Sequence, residues 1–176
     1  MQQRAAATVG GDQLDVFSFE DYDNVIGFVI SQAAEALTRR FETIIRHNGI
    51  SLTPREFVVL NRLHQFGEMT QTQISEFSYK DPASTSRIVE SLRAKRMVTR
   101  KLSKTDRRVT FVSLTEKGRA VRAILVPQFA EALRNAAAGS SPEELMAALK
   151  VLKRIAGDAR LPVPPAAGQP APTAGE

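Results

Sequence analysis

The chain has 176 residues, 43% of them hydrophobic and 24% charged, a composition that suits a globular domain with one proper core and excludes wholesale disorder or a fibrous architecture. With no cysteine and two histidines it excludes disulfide frameworks, cysteine-ligated metal sites and thiol chemistry, and His47 and His64 alone cannot close a zinc site. The net charge of +5 favours a polyanionic partner, and its distribution is sharper: Lys80 to Arg108 holds ten Lys/Arg against Asp81, Glu90 and Asp106, a net of +7 that leaves −2 for the rest.

Residues 1–17 are short of periodic apolar residues and read as a disordered tail. Their start, MQQRAAATVGGDQLD, has no apolar run of signal-peptide length, and no stretch approaches the roughly 20 apolar residues that span a bilayer, so the expected compartment is the cytoplasm with no membrane partner. From Val25 to Ile45 apolar residues recur at helical spacing and end at Asn48-Gly49, which predicts a helix over 21–48. Thr53-Pro54-Arg55-Glu56 combines a capping box with proline at the first helical position and starts a helix over 54–66. Weaker forms of the same signal at Thr70-x-x-Gln73 and Asp81-Pro82 open helices over 70–77 and 81–95. Residues 97–114 carry β-branched and aromatic residues on either side of the polar run Ser103 to Arg107, as a β-hairpin with a charged tip does. Thr115 before Glu116 opens a helix over 115–138, and Ser141-Pro142-Glu143-Glu144 opens another over 142–157. Residues 160–176 hold five of the nine prolines and no aromatic residue, so they read as a second disordered tail.

This order, mainly α with a small β-hairpin wing, is that of a winged helix-turn-helix. It predicts a single domain over 18–159, with the winged unit at 50–114 flanked by the helices at 21–48 and 115–157. In a helix-turn-helix the second helix enters the major groove, which makes 81–95 the candidate recognition helix. At 100° per residue Thr85, Ile88, Val89 and Leu92 form a stripe for the core. The opposite side carries Ala83, Arg87, Glu90 and Ala94, flanked by Ser84, Ser86 and Ser91. Small hydroxyls allow close approach to base edges and phosphates, and Arg87 suits a bidentate contact to guanine or a phosphate clamp. The candidate DNA contacts are therefore Lys80, Ser84, Thr85, Ser86 and Arg87, with Lys101, Lys104, Arg107 and Arg108 of the hairpin placed to follow phosphates and the adjacent minor groove. Asp106, acidic within a basic tip, fits an internal partner that holds an arginine and shapes the loop.

Over about Ile26 to Gly118 these residues resemble the MarR family of bacterial transcriptional regulators. The resemblance rests on LTPREFVVL (52–60), MTQTQISEF (69–77), DPASTSRIVESL (81–92) and above all DRRVTFVSLTEKG (106–118), which fits the wing signature of that family. It implies an obligate homodimer in which the helices at 21–48 and 115–157 of both subunits form an intertwined dimerisation region, an inverted-repeat operator in double-stranded DNA, repression relieved by a small ligand, and no catalysis. Apolar stripes at Leu125, Val126, Phe129 and Leu133, and at Leu145, Met146, Leu149, Leu152 and Ile155, independently call for a partner beyond the winged unit. The resemblance further implies a phenolic or aromatic carboxylate effector bound between the first two helices and the fifth. Near that place lie Arg46, His47 and His64, with Phe41 and Phe57 as candidate walls. The chain departs from the family at Arg96, where glycine commonly follows the recognition helix, so either the turn differs or Arg96 adds a phosphate contact. The absence of cysteine removes the peroxide-sensing branch.

No metal, cofactor or catalytic residue is expected. A Gly-rich phosphate loop, a GxSxG elbow and a metal-ligand cluster are all missing from the sequence, which argues against an enzyme. The alternative to a ligand-responsive repressor is an architectural or effector-insensitive DNA binder. It shares the charge map but predicts little preference between operator and random DNA.

Overall fold

The computed structural model describes residues 7–9, 12–14, 16, 17, 19, 22–78, 82–103 and 109–156. Chain packing divides into two compact units, Met1–Thr43 and Ile44–Glu176. In the first, β1 (Ala7–Val9) and β2 (Asp12–Leu14) pair antiparallel, with Val9 opposite Asp12. This departs from the disordered tail expected over 1–17. Strands of three residues leave no period to read in the sequence. A 3-10 turn at Tyr22–Asn24 precedes α1 (Ile26–His47), whose first amide donates to the Val16 carbonyl at 2.9 Å.

The second unit follows the expected order closely. Its elements are α2 (Pro54–Phe66), β3 (Met69–Thr70), α3 (Gln71–Ser78), α4 (Pro82–Ala94), β4 (Val98–Leu102), β5 (Thr110–Leu114), α5 (Glu116–Ala136) and α6 (Pro142–Ile155). The strand β3 was not legible as an element. Two residues give no alternation, yet Met69 pairs with Val112 and Thr70 with Phe111, making a three-stranded sheet ordered β3-β5-β4. Thr70 is at once the end of that strand and the cap of α3: its hydroxyl accepts the Gln73 amide at 3.2 Å, and Gln73 Oε1 accepts the Thr70 amide at 2.8 Å. The core of the winged unit gathers one or two side chains from each element. Leu60, Leu63, Met69, Ile74, Val89, Leu92 and Val112 are all buried, and each contributes on the order of 1.5–3 kcal/mol by leaving water.

Helix α5 fastens to this unit at several points. Phe129 packs edge-to-face on Phe57 with ring centroids 4.6 Å apart. Arg122 Nε donates to Asn61 Oδ1 at 2.8 Å. The carboxamides of Gln128 and Asn48 exchange hydrogen bonds of 3.0 and 3.1 Å, tying the residue that follows α1 to α5. The helix also contains Pro127. By contrast α6 buries none of its residues, and Leu145, Met146, Leu149, Val151, Leu152 and Ile155 are exposed on it.

The turn after α4 resolves the question raised by Arg96. It keeps the left-handed geometry, with Arg96 at φ 58°. The Arg96 amide donates to the Arg93 carbonyl at 2.9 Å and the Met97 amide to the Leu92 carbonyl at 2.9 Å, a Schellman motif sealed by burial of Leu92 and Met97. A side chain in this conformation is strained by about 1–2 kcal/mol, part of which glycine would return as unfolded-state entropy. Because the Arg96 side chain is exposed, Arg96→Gly is expected to stabilise the fold by about 1 kcal/mol, read as a rise in the urea midpoint at unchanged slope. A lower midpoint would mean that the arginine makes a contact worth more than its strain.

Candidate nucleic-acid interface

Helix α4 turns its stripe of Thr85, Val89 and Leu92 inward and leaves Ala83, Arg87, Glu90 and Ala94 exposed, with Ser84, Ser86 and Ser91 half-buried along the margins. The candidate reading face thus comprises Ser84, Ser86 and Arg87. Thr85 is corrected out of it: its side chain is fully buried, and Oγ1 has no hydrogen-bond partner among the described residues. The reason is periodicity, since Thr85 lies four residues before Val89 on the inward stripe. Lys80, Lys104, Asp106, Arg107 and Arg108 lie outside the described residues.

Three elements meet beside that face. Arg100 on β4 reaches Gln71 Oε1 of α3 at 3.3 Å and Glu90 Oε2 of α4 at 3.5 Å. Glu90 also takes a forked pair from Arg93, with Nη2 at 2.6 Å and Nε at 3.0 Å from the carboxylate. The hydrogen bond and charge of Arg93, joined by Arg100, hold the Glu90 carboxyl below the ordinary carboxylate range and push the Arg93 guanidinium up. Lys101, exposed on the same strand, lines a shallow groove of about 320 Å³ with Glu90, Arg93 and Arg100. A second groove of about 560 Å³ runs between α3, the start of α4 and the wing, bordered by Gln71, Ser75, Pro82, Arg100 and Thr110. Arg100 and Gln71 were missed as site residues from sequence. Arg100 stood out only as one of many cations, and its place at the crossing of three elements is a tertiary fact.

The brace behind this face is ionic. Glu56, the third residue of α2, is 3% exposed. It completes the capping box by accepting the Thr53 amide at 2.7 Å while its own amide donates to Thr53 Oγ1 at 3.2 Å. The same carboxylate takes Lys95 Nζ at 2.6 and 2.8 Å and the Ser91 hydroxyl at 2.6 Å. Burial pushes its pKa up, but hydrogen bonds from Lys95, Ser91 and the Thr53 amide, with the ammonium charge, outweigh burial and leave it below the usual carboxylate value. Ser91 therefore serves this brace rather than the outer margin of α4.

The candidate effector residues Arg46 and His47, at the end of α1, and His64, in the last turn of α2, are all exposed. Phe41 is half-buried. Phe57 is buried on the inward face of α2 beside Leu60, with its ring packed edge-to-face by Phe129. No group of three or more histidine or acidic side chains suited to a metal ion occurs among the described residues.

A MarR family profile matches residues 52–110. The chain is 32% identical over 132 residues to the HTH-type transcriptional regulator MhqR of Bacillus subtilis strain 168, spanning 75% of this chain and 90% of that protein. Among solved structures it is similar to a probable transcriptional regulator from Pseudomonas aeruginosa, at 30% identity and TM-score 0.69 over 76% of this chain and 98% of that one. It is also similar to BpsR of Bordetella bronchiseptica, whose DNA binding is regulated by 6-hydroxynicotinic acid, at 27% identity and TM-score 0.66 over 74% of this chain and 98% of that one.

Proposed function

The chain belongs to the MarR family, whose members are transcriptional regulators and not enzymes, and from that premise we propose that it is a homodimeric repressor acting in the cytoplasm on an inverted-repeat operator and released by a small aromatic acid or phenol. The observation that carries the reading is the outward face of α4, which exposes Arg87 between the half-buried Ser84 and Ser86 and is joined at Glu90 to the wing cation Arg100, with Lys101 lining the same groove. Small hydroxyls and one arginine suit base readout, whereas the wing cations suit phosphates. Lys80, Lys104, Arg107 and Arg108 belong to the same proposed contact set, with Asp106 shaping the wing.

The dimer is supported by the bare face of α6 and by Ile124 and Leu133 on α5, which stay exposed in one copy. A second copy would remove that surface from water. The effector class is supported by the aromatic acid that regulates BpsR, and Arg46, His47 and His64 are the cationic or titratable groups offered for it.

The test is fluorescence anisotropy on DNA from upstream of the protein's own coding sequence against scrambled DNA, at two salt concentrations, with a panel of small aromatic acids. Selective binding relieved by one compound is the expected result. Equal, weak, salt-dominated binding to both DNAs would favour the architectural alternative. Within this assay Arg87→Ala should cost about 1–3 kcal/mol on the operator and relax base preference, while Lys101→Ala should weaken all sequences alike and flatten the salt slope by about one unit. Indistinguishable effects of the two on preference would contradict the division of roles.

A further inference from the structure

We propose that Glu56 and Lys95 are positioning residues for operator recognition: together they fix the angle at which α4 is held within the winged unit, and so set which half-site spacing two copies accept. This rests on the reading of the chain as a dimeric operator-binding regulator.

Stability alone is a poor account of the pair. The side chains of Glu56 and Lys95 are 4% and 25% exposed. At such depth the desolvation of two charges roughly cancels their attraction, so a well-packed apolar pair would hold the fold as firmly. What the carboxylate adds is direction. Its bonds to Ser91 and Lys95 grip the last turn of α4 and the residue that follows the helix, and its bond to the Thr53 amide fixes the carboxylate to the start of α2.

The opposite side of the same turn is held by α5. The carbonyl of Lys95 accepts Lys117 Nζ at 3.0 Å, that of Arg96 accepts Thr115 Oγ1 at 2.8 Å, and that of Met97 accepts the Thr115 amide at 3.1 Å. The exit of the recognition helix is thus clamped between α2 and α5, while Arg87 sits eight residues upstream. At 1.5 Å per residue that is a lever of about 12 Å, on which a tilt of about 10° moves the reading side chains by about 2 Å. Such a displacement exceeds the tolerance of a hydrogen bond to a base edge.

The test is the double variant Glu56→Gln with Lys95→Met. Glutamine can keep the capping box with its carbonyl oxygen and turn its NH2 to donate to the Ser91 hydroxyl, methionine fills the lysine stem, and no charge is left buried alone. The melting midpoint should stay within a few degrees of the parent. The operator-to-random affinity ratio should fall by about tenfold or more, the scale of one lost base contact, and operators with the half-sites one base pair closer or farther should be accepted more evenly. Affinity for random DNA and its salt slope should not change, because the net charge is the same. Ser91→Ala, which removes one grip and spares the ion pair, should give a smaller shift in the same direction. A double variant that shows parental discrimination and the parental spacing profile would overturn the proposal, whatever its melting point, and so would Ser91→Ala exceeding it. A parent protein with no operator preference would overturn the regulator reading, and this role with it.

Discussion

Gly118→Ala should lower the melting midpoint by about 10 °C, for a reason that lies in the backbone. A β-carbon at this position would stand 2.2 Å from the Met97 carbonyl oxygen and 3.2 Å from Leu114 Cδ2. A side chain can rotate away from such a clash, but this oxygen cannot: it accepts the Thr115 amide at 3.1 Å, and Met97 is buried as the last residue of the turn that closes α4. Relief requires α5 and that turn to separate, with overpacking strain of about 1–3 kcal/mol and the loss of a hydrogen bond worth about 1 kcal/mol. Near 3 kcal/mol in total, at about 2–4 °C per kcal/mol for a chain of this size, gives the shift. Gly27→Ala is the control of opposite sign, since a β-carbon there meets nothing within 4 Å and alanine is the better helix former by about 1 kcal/mol. Thermal melts followed by circular dichroism decide the matter. A Gly118→Ala protein melting within about 2 °C of the parent would show that the junction yields more easily than its geometry implies.

Glu56→Ala should cost about 3 kcal/mol at neutral pH, and that cost should shrink in acid. The substitution strands the Lys95 ammonium, the Ser91 hydroxyl and the Thr53 amide together. Breaking a buried ion pair costs about 3–5 kcal/mol, and the partial exposure of Lys95 places this case at the lower end. The pH dependence follows from the lowered pKa. The unfolded carboxyl titrates near 4.5 and the folded one below it, so the native state binds fewer protons. The stabilisation is therefore complete above the unfolded value and is lost as pH falls through the folded one. Melts from pH 7 to pH 3 should show a constant gap between parent and variant down to about pH 5, then a narrowing one. A gap unchanged at pH 3 would mean that the carboxylate is not the partner that matters.

Local signals in the sequence were read back faithfully by the structure. The capping boxes at Thr53 and Ser141 start α2 and α6 at Pro54 and Pro142, because all the atoms involved lie within four residues of each other. The outward placement of Arg87 and the inward placement of Val89 and Leu92 followed from a constant angular step. What escaped was non-local or too short. The contact of Glu56 with Lys95 joins residues 39 apart, and nothing in either neighbourhood marks it; the glutamate had already been accounted for as a cap. Arg96 was recognisable as a departure, but its outcome depended on whether the Met97 and Thr115 bonds outweigh one strained residue. Thr85 shows the opposite failure, in which residue type suggested a contact that periodicity already denied.

Pro127 gives α5 an uneven stiffness along its length. The segment before it meets the winged unit through Thr115, Gly118 and Arg122; just after it Gln128 and Phe129 are held by Asn48 and Phe57, and the helix then runs on to the exposed Leu133. Proline has no N–H to offer the Ala123 carbonyl, and its ring crowds that oxygen, so one rung of the helical ladder is missing at this point. Mechanical compliance is concentrated where a rung is absent. Where the ladder lapses, side chains take over: the Gln128–Asn48 pair and the Phe129–Phe57 contact hold the helix immediately beyond Pro127, so the weakened point lies between two fastenings rather than beyond the last of them.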